Sequence, residues 1–122
     1  MEEPFDVEIE PEVRLWLTNL SANDYERAQH AANRLAHYAT TLDEPHSRYL
    51  GSGVRELRFE MGRNREAVRI SYWLAPERRI VLLTVFRKTR QRENAEVARA
   101  KRTKASCEAE HEPAHDTFTR DV

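Results

Sequence analysis

Val54-Arg55-Glu56-Leu57-Arg58-Phe59-Glu60, then Glu66-Ala67-Val68-Arg69-Ile70-Ser71-Tyr72-Trp73-Leu74, then Ile80-Val81-Leu82-Leu83-Thr84-Val85-Phe86 are the segments whose reading decides the fold. The first places Leu57 and Phe59 on one face and Val54, Glu56, Arg58 and Glu60 on the other. The second sends Val68, Ile70, Tyr72 and Leu74 one way and Arg69, Ser71 and Trp73 the other, the period of two expected of a strand. The third is a nearly unbroken apolar run suited to a central strand. Met61-Gly62-Arg63-Asn64-Arg65 and Ala75-Pro76-Glu77-Arg78 have turn composition, so the segments predict an antiparallel three-strand meander.

Upstream, Phe5, Val7 and Ile9 alternate with acids and predict a half-exposed strand that begins at Pro4. Pro11 suits a first helical turn, and Val13, Trp16, Leu17 and Leu20 share one helical face. Ser21 can cap a second helix, with Asp24 three residues on, and Tyr25, Ala28, Ala32, Leu35 and Ala39 recur at spacings of three and four. By period Tyr25 and Tyr38 on the helix, and Tyr72 on the second meander strand, are core-facing; His30 and His37, seven apart with no further ligand at a recognisable spacing, read as solvent-facing. Thr40 to Leu50 has no apolar period and reads as a connecting loop ended by Gly51-Ser52-Gly53. Downstream, residues 93 to about 108 favour helix, although only Ala95, Val97, Ala98, Ala105 and Cys107 can pack; the acidic residues 109 to 122 read as a disordered tail. The expected architecture is α+β: a strand and helical hairpin packed on the meander, then a C-terminal helix, with the helices on one sheet face.

At 122 residues the chain is sized for one domain. Its formal net charge of −1 conceals a partition. Residues 1–47 sum to −7; residues 48–104 carry sixteen Lys or Arg against six Glu, a net of +10; the tail from residue 105 sums to −4. A basic body of this kind suits a polyanion, and its preference for Arg over Lys favours bidentate phosphate contacts. No apolar run is long enough to cross a bilayer and the acidic start is unlike a secretory signal, so the cytoplasm is expected. The single cysteine has no disulfide or metal partner, His30 and His37 have no third ligand at a recognisable spacing, and His111 and His115, four apart, fall in the tail and read as part of it, so neither metal nor cofactor is expected.

Arg58 and Arg69 lie on neighbouring strands and converge on a phosphate if the register puts their faces together. Arg87, Lys88, Arg90 and Arg92 follow the third strand and are placed to close its rim. Such a cluster would stabilise charge that builds up during phosphoryl transfer; the competing reading is a solubilising sheet face. Trp73, on the arginine-bearing face, suits either a stacked RNA base or packing under the terminal helix. Residues 48–104 hold neither histidine nor aspartate, and their glutamates read as surface partners, so a general acid-base pair is missing.

The succession Gly51-Ser52-Gly53-Val54-Arg55-Glu56-Leu57-Arg58-Phe59, Val68-Arg69-Ile70-Ser71-Tyr72, Ile80-Val81-Leu82-Leu83 and Phe86-Arg87-Lys88-Thr89 resembles the HigB-like branch of the RelE/ParE toxin superfamily, and within it the phage-derived Gp49-like group. The resemblance covers residues 5 to 104 and implies a RelE-like fold over residues 1–108. It further implies a metal-independent, ribosome-dependent mRNA endonuclease, the toxin of a type II toxin-antitoxin system. Its expected partners are the ribosome with its mRNA, a helix-turn-helix antitoxin of the HigA kind, and operator DNA through the antitoxin complex. By position Arg58 and Arg69 match the family's basic residues on the first two meander strands, and Lys88 or Arg87 the one after the third; the catalytic set implied is Arg58, Arg69 and Lys88. Arg55, Arg63, Arg65, Trp73, Arg87, Arg90 and Arg92 are the residues expected to bind RNA. The sequence lacks the tyrosine that some relatives carry near Asn94, and a general base is left unassigned. A gyrase poison of the ParE kind on the same fold, and a non-enzymatic nucleic-acid-binding protein of phage origin, are the alternatives.

Overall fold

The computed structural model describes residues 3–88, 93–110 and 116–117. Its elements run β1 (Asp6–Ile9), α1 (Pro11–Thr18), α2 (Ala22–His37), β2 (Ser47–Gly51), β3 (Val54–Met61), β4 (Glu66–Ala75), β5 (Arg79–Arg87), α3 (Glu93–Glu110) and β6 (Asp116–Thr117). The expected α+β class is observed. The six strands form one sheet in the order β2-β3-β4-β5-β1-β6. The meander β3-β4-β5 is antiparallel, and β1 pairs in parallel with β5, Val7 opposite Ile80.

Local chemistry sets these boundaries. Pro11 opens α1, and Ser21 caps α2 by accepting the Asp24 backbone N–H at 3.2 Å, as its position three residues before an acid predicted. Ala28, Ala31, Ala32, Leu35 and Ala36 form the buried stripe of α2. With Val13 and Leu17 of α1 they pack on Val7, Ile9, Leu57, Val68, Ile70, Tyr72, Ile80 and Leu82, the main core. Tyr25 and Tyr38 do not join it: both are exposed, because small alanines already fill the helix-sheet gap. Tyr72 is fully buried, and its hydroxyl hydrogen-bonds Ser47 Oγ at 2.6 Å.

Two expectations are corrected. The connecting loop contains a strand: β2 pairs with β3 at the sheet edge, Ser47 opposite Leu57 and Arg48 opposite Glu56. Its residues show no apolar alternation because Arg48 and Tyr49 are exposed. The helices also do not share one face. By strand alternation, Val54, Ala75, Val81 and Leu83 point away from the main core, and there α3 covers them with Ala100 and Cys107. The arginine-bearing face is therefore half covered. Asp116–Thr117, in the stretch expected to be a tail, lie antiparallel on Glu8–Ile9. Among the described residues no helix is long and apolar enough to cross a membrane.

Glycine is required where the chain enters β3. Gly51 and Gly53 have φ of +100° and +77°, and a Cβ on either would meet Lys101 Nζ at 3.1 Å or Lys104 Nζ at 3.2 Å. The lysine ends can shift aside, so it is the left-handed backbone that calls for glycine here.

Candidate active site

The β3–β4 register sets Arg58 directly opposite Arg69, and Glu56 opposite Ser71. By strand alternation all four point to the α3 face, where Glu56, Arg69 and Ser71 are buried. Like charges directly opposite in a sheet destabilise it by roughly 0.2–1 kcal/mol. Arg48, opposite Glu56 on β2, adds a third guanidinium.

The third strand contributes through a bulge. Ser71 pairs with Thr84 but Tyr72 with Leu82, so Leu83 is an extra residue in β5. This shifts the alternation by one, placing Thr84, Phe86 and Lys88 on the face of Arg69. Lys88 donates its backbone N–H to Ala67 O at 2.8 Å, which fixes it there, and its Nζ lies 3.6 Å from Glu93 at the start of α3. Arg87 turns to the opposite face and pairs with Glu66. Sequence alone left Lys88 and Arg87 as alternatives for this position; the bulge separates them.

Contrary to the expectation of a surface partner, Glu56 is 6% exposed, beside an Arg69 that is 7% exposed. Glu56 Oε1 and Arg69 Nε are 3.6 Å apart, an ion pair longer than a hydrogen bond. Arg69 Nη1 donates to Val68 O at 3.2 Å. The Nε donors of Arg58 and Arg69 are both buried without an acceptor among the described residues. Burial raises the Glu56 carboxyl above its ordinary pKa, although Arg69, Arg58 and Arg48 pull the other way and Glu93 adds to the rise. Burial, and then Arg58, lower the Arg69 guanidinium. Desolvation thus leaves a carboxyl with an affinity for protons beside two arginines with donors to spare. Such an arrangement can hold a phosphodiester and accept a proton next to it.

The other residues expected to bind RNA are dispersed. Arg55 lies on the main-core side, where Nε donates to Ser47 Oγ at 3.0 Å, Nη2 to Leu42 O at 3.4 Å, and Asp43 is 3.6 Å away. It straps the loop before β2 to the sheet. Arg63 and Arg65 are exposed in the β3–β4 turn. Trp73 packs with the α3-side cluster, and Lys104 Nζ lies 5.1 Å from its ring centroid, so packing under the helix is the role seen. Arg90 and Arg92 lie outside the described residues. Sequence shows that Glu56 shares a face with Arg58, but its closeness to Arg69 depends on strand register, which no residue type signals. Among the described residues no group of three or more His, Cys, Asp or Glu is placed to hold a metal ion.

No curated protein matches this sequence. Residues 15–105 match the family described as Phage derived protein Gp49-like, a span that runs from the middle of α1 through most of α3 and includes every residue of the cluster. The chain therefore belongs to the phage-derived Gp49-like family, which is RelE-type and toxin-like.

Proposed function

We propose that the protein is the toxin of a type II toxin-antitoxin system and that it cleaves ribosome-bound mRNA without a metal ion, as a HigB-like mRNA interferase. The observation that carries this reading is the Arg58–Arg69 cross-strand pair, with its unpartnered buried donors, beside Glu56. Glu56 at 3.6 Å from Arg69 and Glu44 at 4.0 Å from Arg58 offset the two opposed guanidiniums only in part, and a phosphodiester anion would relieve the remaining repulsion.

In this mechanism the 2′-hydroxyl of a nucleotide attacks the adjacent phosphorus. Its proton passes to the Glu56 carboxylate, whose pKa burial holds up. Arg58 and Arg69 stabilise the added negative charge on the non-bridging oxygens. The bond from phosphorus to the 5′-oxygen breaks, and the Lys88 ammonium, on the same face, gives the leaving oxygen a proton. The products are a 2′,3′-cyclic phosphate and a 5′-hydroxyl. Alignment of the attacking oxygen is left to the ribosome. A helix-turn-helix antitoxin of the HigA kind neutralises the toxin, and the complex binds operator DNA.

Primer extension on messages from cells that express the protein tests this, with Arg69→Ala as the variant. The expected outcome is discrete new 5′ ends and growth arrest for the parent, and neither for a folded Arg69→Ala protein that still binds its antitoxin. Full toxicity of Arg69→Ala, or double-strand DNA breaks without cut messages, sinks the proposal.

A further inference from the structure

Two of the three basic residues in the acidic N-terminal segment, Arg27 and Arg34, lie on one face of α2 with His30 between them, at spacings of three and four. That face lines an open cleft of about 1650 Å³, whose other wall includes His46, Arg58 and Phe59 at the end of β3 that β2 leaves uncovered. Arg58 and Arg69 also line it, so the cleft is continuous with the cluster described above. Glu26 and Glu60 are the carboxylates along its sides.

His46 joins the two walls. It follows the cis Glu44–Pro45 bond, its carbonyl accepts the Arg58 backbone N–H at 2.9 Å, and its Nδ1 is 2.8 Å from Arg34 Nη1. A guanidinium only donates, so Nδ1 is the acceptor. The imidazole is then the tautomer with its proton on Nε2, and it holds Arg34 while keeping a donor of its own. Tyr25, 37% exposed, also lines the cleft.

We infer that this cleft is a second polynucleotide track, in which Arg27, His30, Arg34 and His46 hold the single-stranded RNA that flanks the scissile phosphate. The inference rests on the proposed activity for the identity of that phosphate, and on the cleft's own residues for the track. Guanidinium and imidazole side chains beside an aromatic suit a sugar-phosphate chain with unstacked bases.

The test is fluorescence anisotropy of the full chain with a short 2′-O-methyl oligoribonucleotide, which offers no attacking hydroxyl, titrated over salt. Losing one phosphate contact on a single strand lowers the slope of log affinity against log salt by about 0.7. Arg27→Ala is expected to lower it by about that much, and Arg27→Ala/His30→Ala to weaken binding further; both residues are exposed, so the fold is spared. Arg102→Ala, on the exposed side of α3, should leave the slope unchanged. An unchanged slope in both cleft variants overturns the inference, and loss of antitoxin binding alone would assign the face to a protein instead. Cleavage in a translation extract is read in parallel. Intact cleavage with an unchanged slope sinks the track only, whereas absent cleavage in the parent with the expected slope change sinks the active-site reading only.

Discussion

The two faces of the sheet solve different problems. Under α1 and α2, the buried positions of the strands are apolar from Val7 across to Leu57, and the helices supply alanines and leucines to match. Under α3 the apolar patch is small, with Val54, Ala75, Val81 and Leu83 against Ala100 and Cys107; beyond it the same face carries Glu56, Arg58, Arg69 and Lys88. One face is spent on stability, the other is divided. Burying charge is costly unless it is paired and hydrogen-bonded, and the Glu56–Arg69 pair at 3.6 Å falls short of that. The division teaches that a site can be recognised by where a sheet stops following the rule its other face obeys.

The comparison breaks most sharply at Glu56. Glu56→Gln should lower single-turnover mRNA cleavage by roughly 10²- to 10⁴-fold, the usual share of a general base, while antitoxin binding persists. A base must be ionised, so cleavage by the parent should fall as the pH drops through the raised Glu56 pKa, and the variant should lose that limb of the profile. Stability runs the other way. The folded carboxyl keeps its proton to higher pH than the unfolded one, with its ordinary value of 4.5, so the contribution is present below that value and is lost as pH rises through the folded pKa. A pH profile identical in the parent and Glu56→Gln would remove Glu56 from the chemistry.

The face under α1 and α2 should answer in stability alone. Leu35 is fully buried there, and Leu35→Ala should cost about 2–5 kcal/mol in urea unfolding, with the cleavage specificity of the surviving folded fraction unchanged. A cost near zero would mean that this face is less tightly packed than its burial indicates.

The smallest effect concerns the apolar half of the α3 face. Burial, together with Glu10, pushes the Cys107 thiol up to about 11, so little thiolate exists near neutrality. A thiol reagent at pH 8 should label Cys107 only as fast as the protein unfolds. Labelling at the rate of a free thiol would show that α3 opens readily and that the division of this face is not fixed.

Most of the framework was legible from side-chain period. The Ser21 cap, the α2 stripe and the face assignments of β3 and β4 follow from local spacing, which the fold preserves. β2 was not legible, because an edge strand with Arg48 and Tyr49 in solvent has no alternation to detect. Nor was the second layer: α3 buries little, and a weak apolar stripe does not say which face it will cover. That Arg58 and Arg69 share a face follows from parity, but which of Lys88 and Arg87 joins that face turns on a one-residue bulge at Leu83, and no residue type there announces it. Arg27, Arg34 and His46 escaped because the charge partition assigned residues 1–47 to an acidic block, whereas the fold brings these three to the edge of the basic sheet.

The parallel pairing of β1 with β5 also bears on how the chain assembles. Asp6 meets Arg79 and Ile9 meets Leu82, so β1 has no parallel partner until more than seventy further residues have been made. The meander can form from neighbouring segments, but closing so long a loop carries an entropic cost, and contacts of this range slow folding. Synthesis proceeds from the N-terminus. The nascent chain therefore holds Val7 and Ile9 without their sheet neighbours until the strand that completes the arginine face has itself been made.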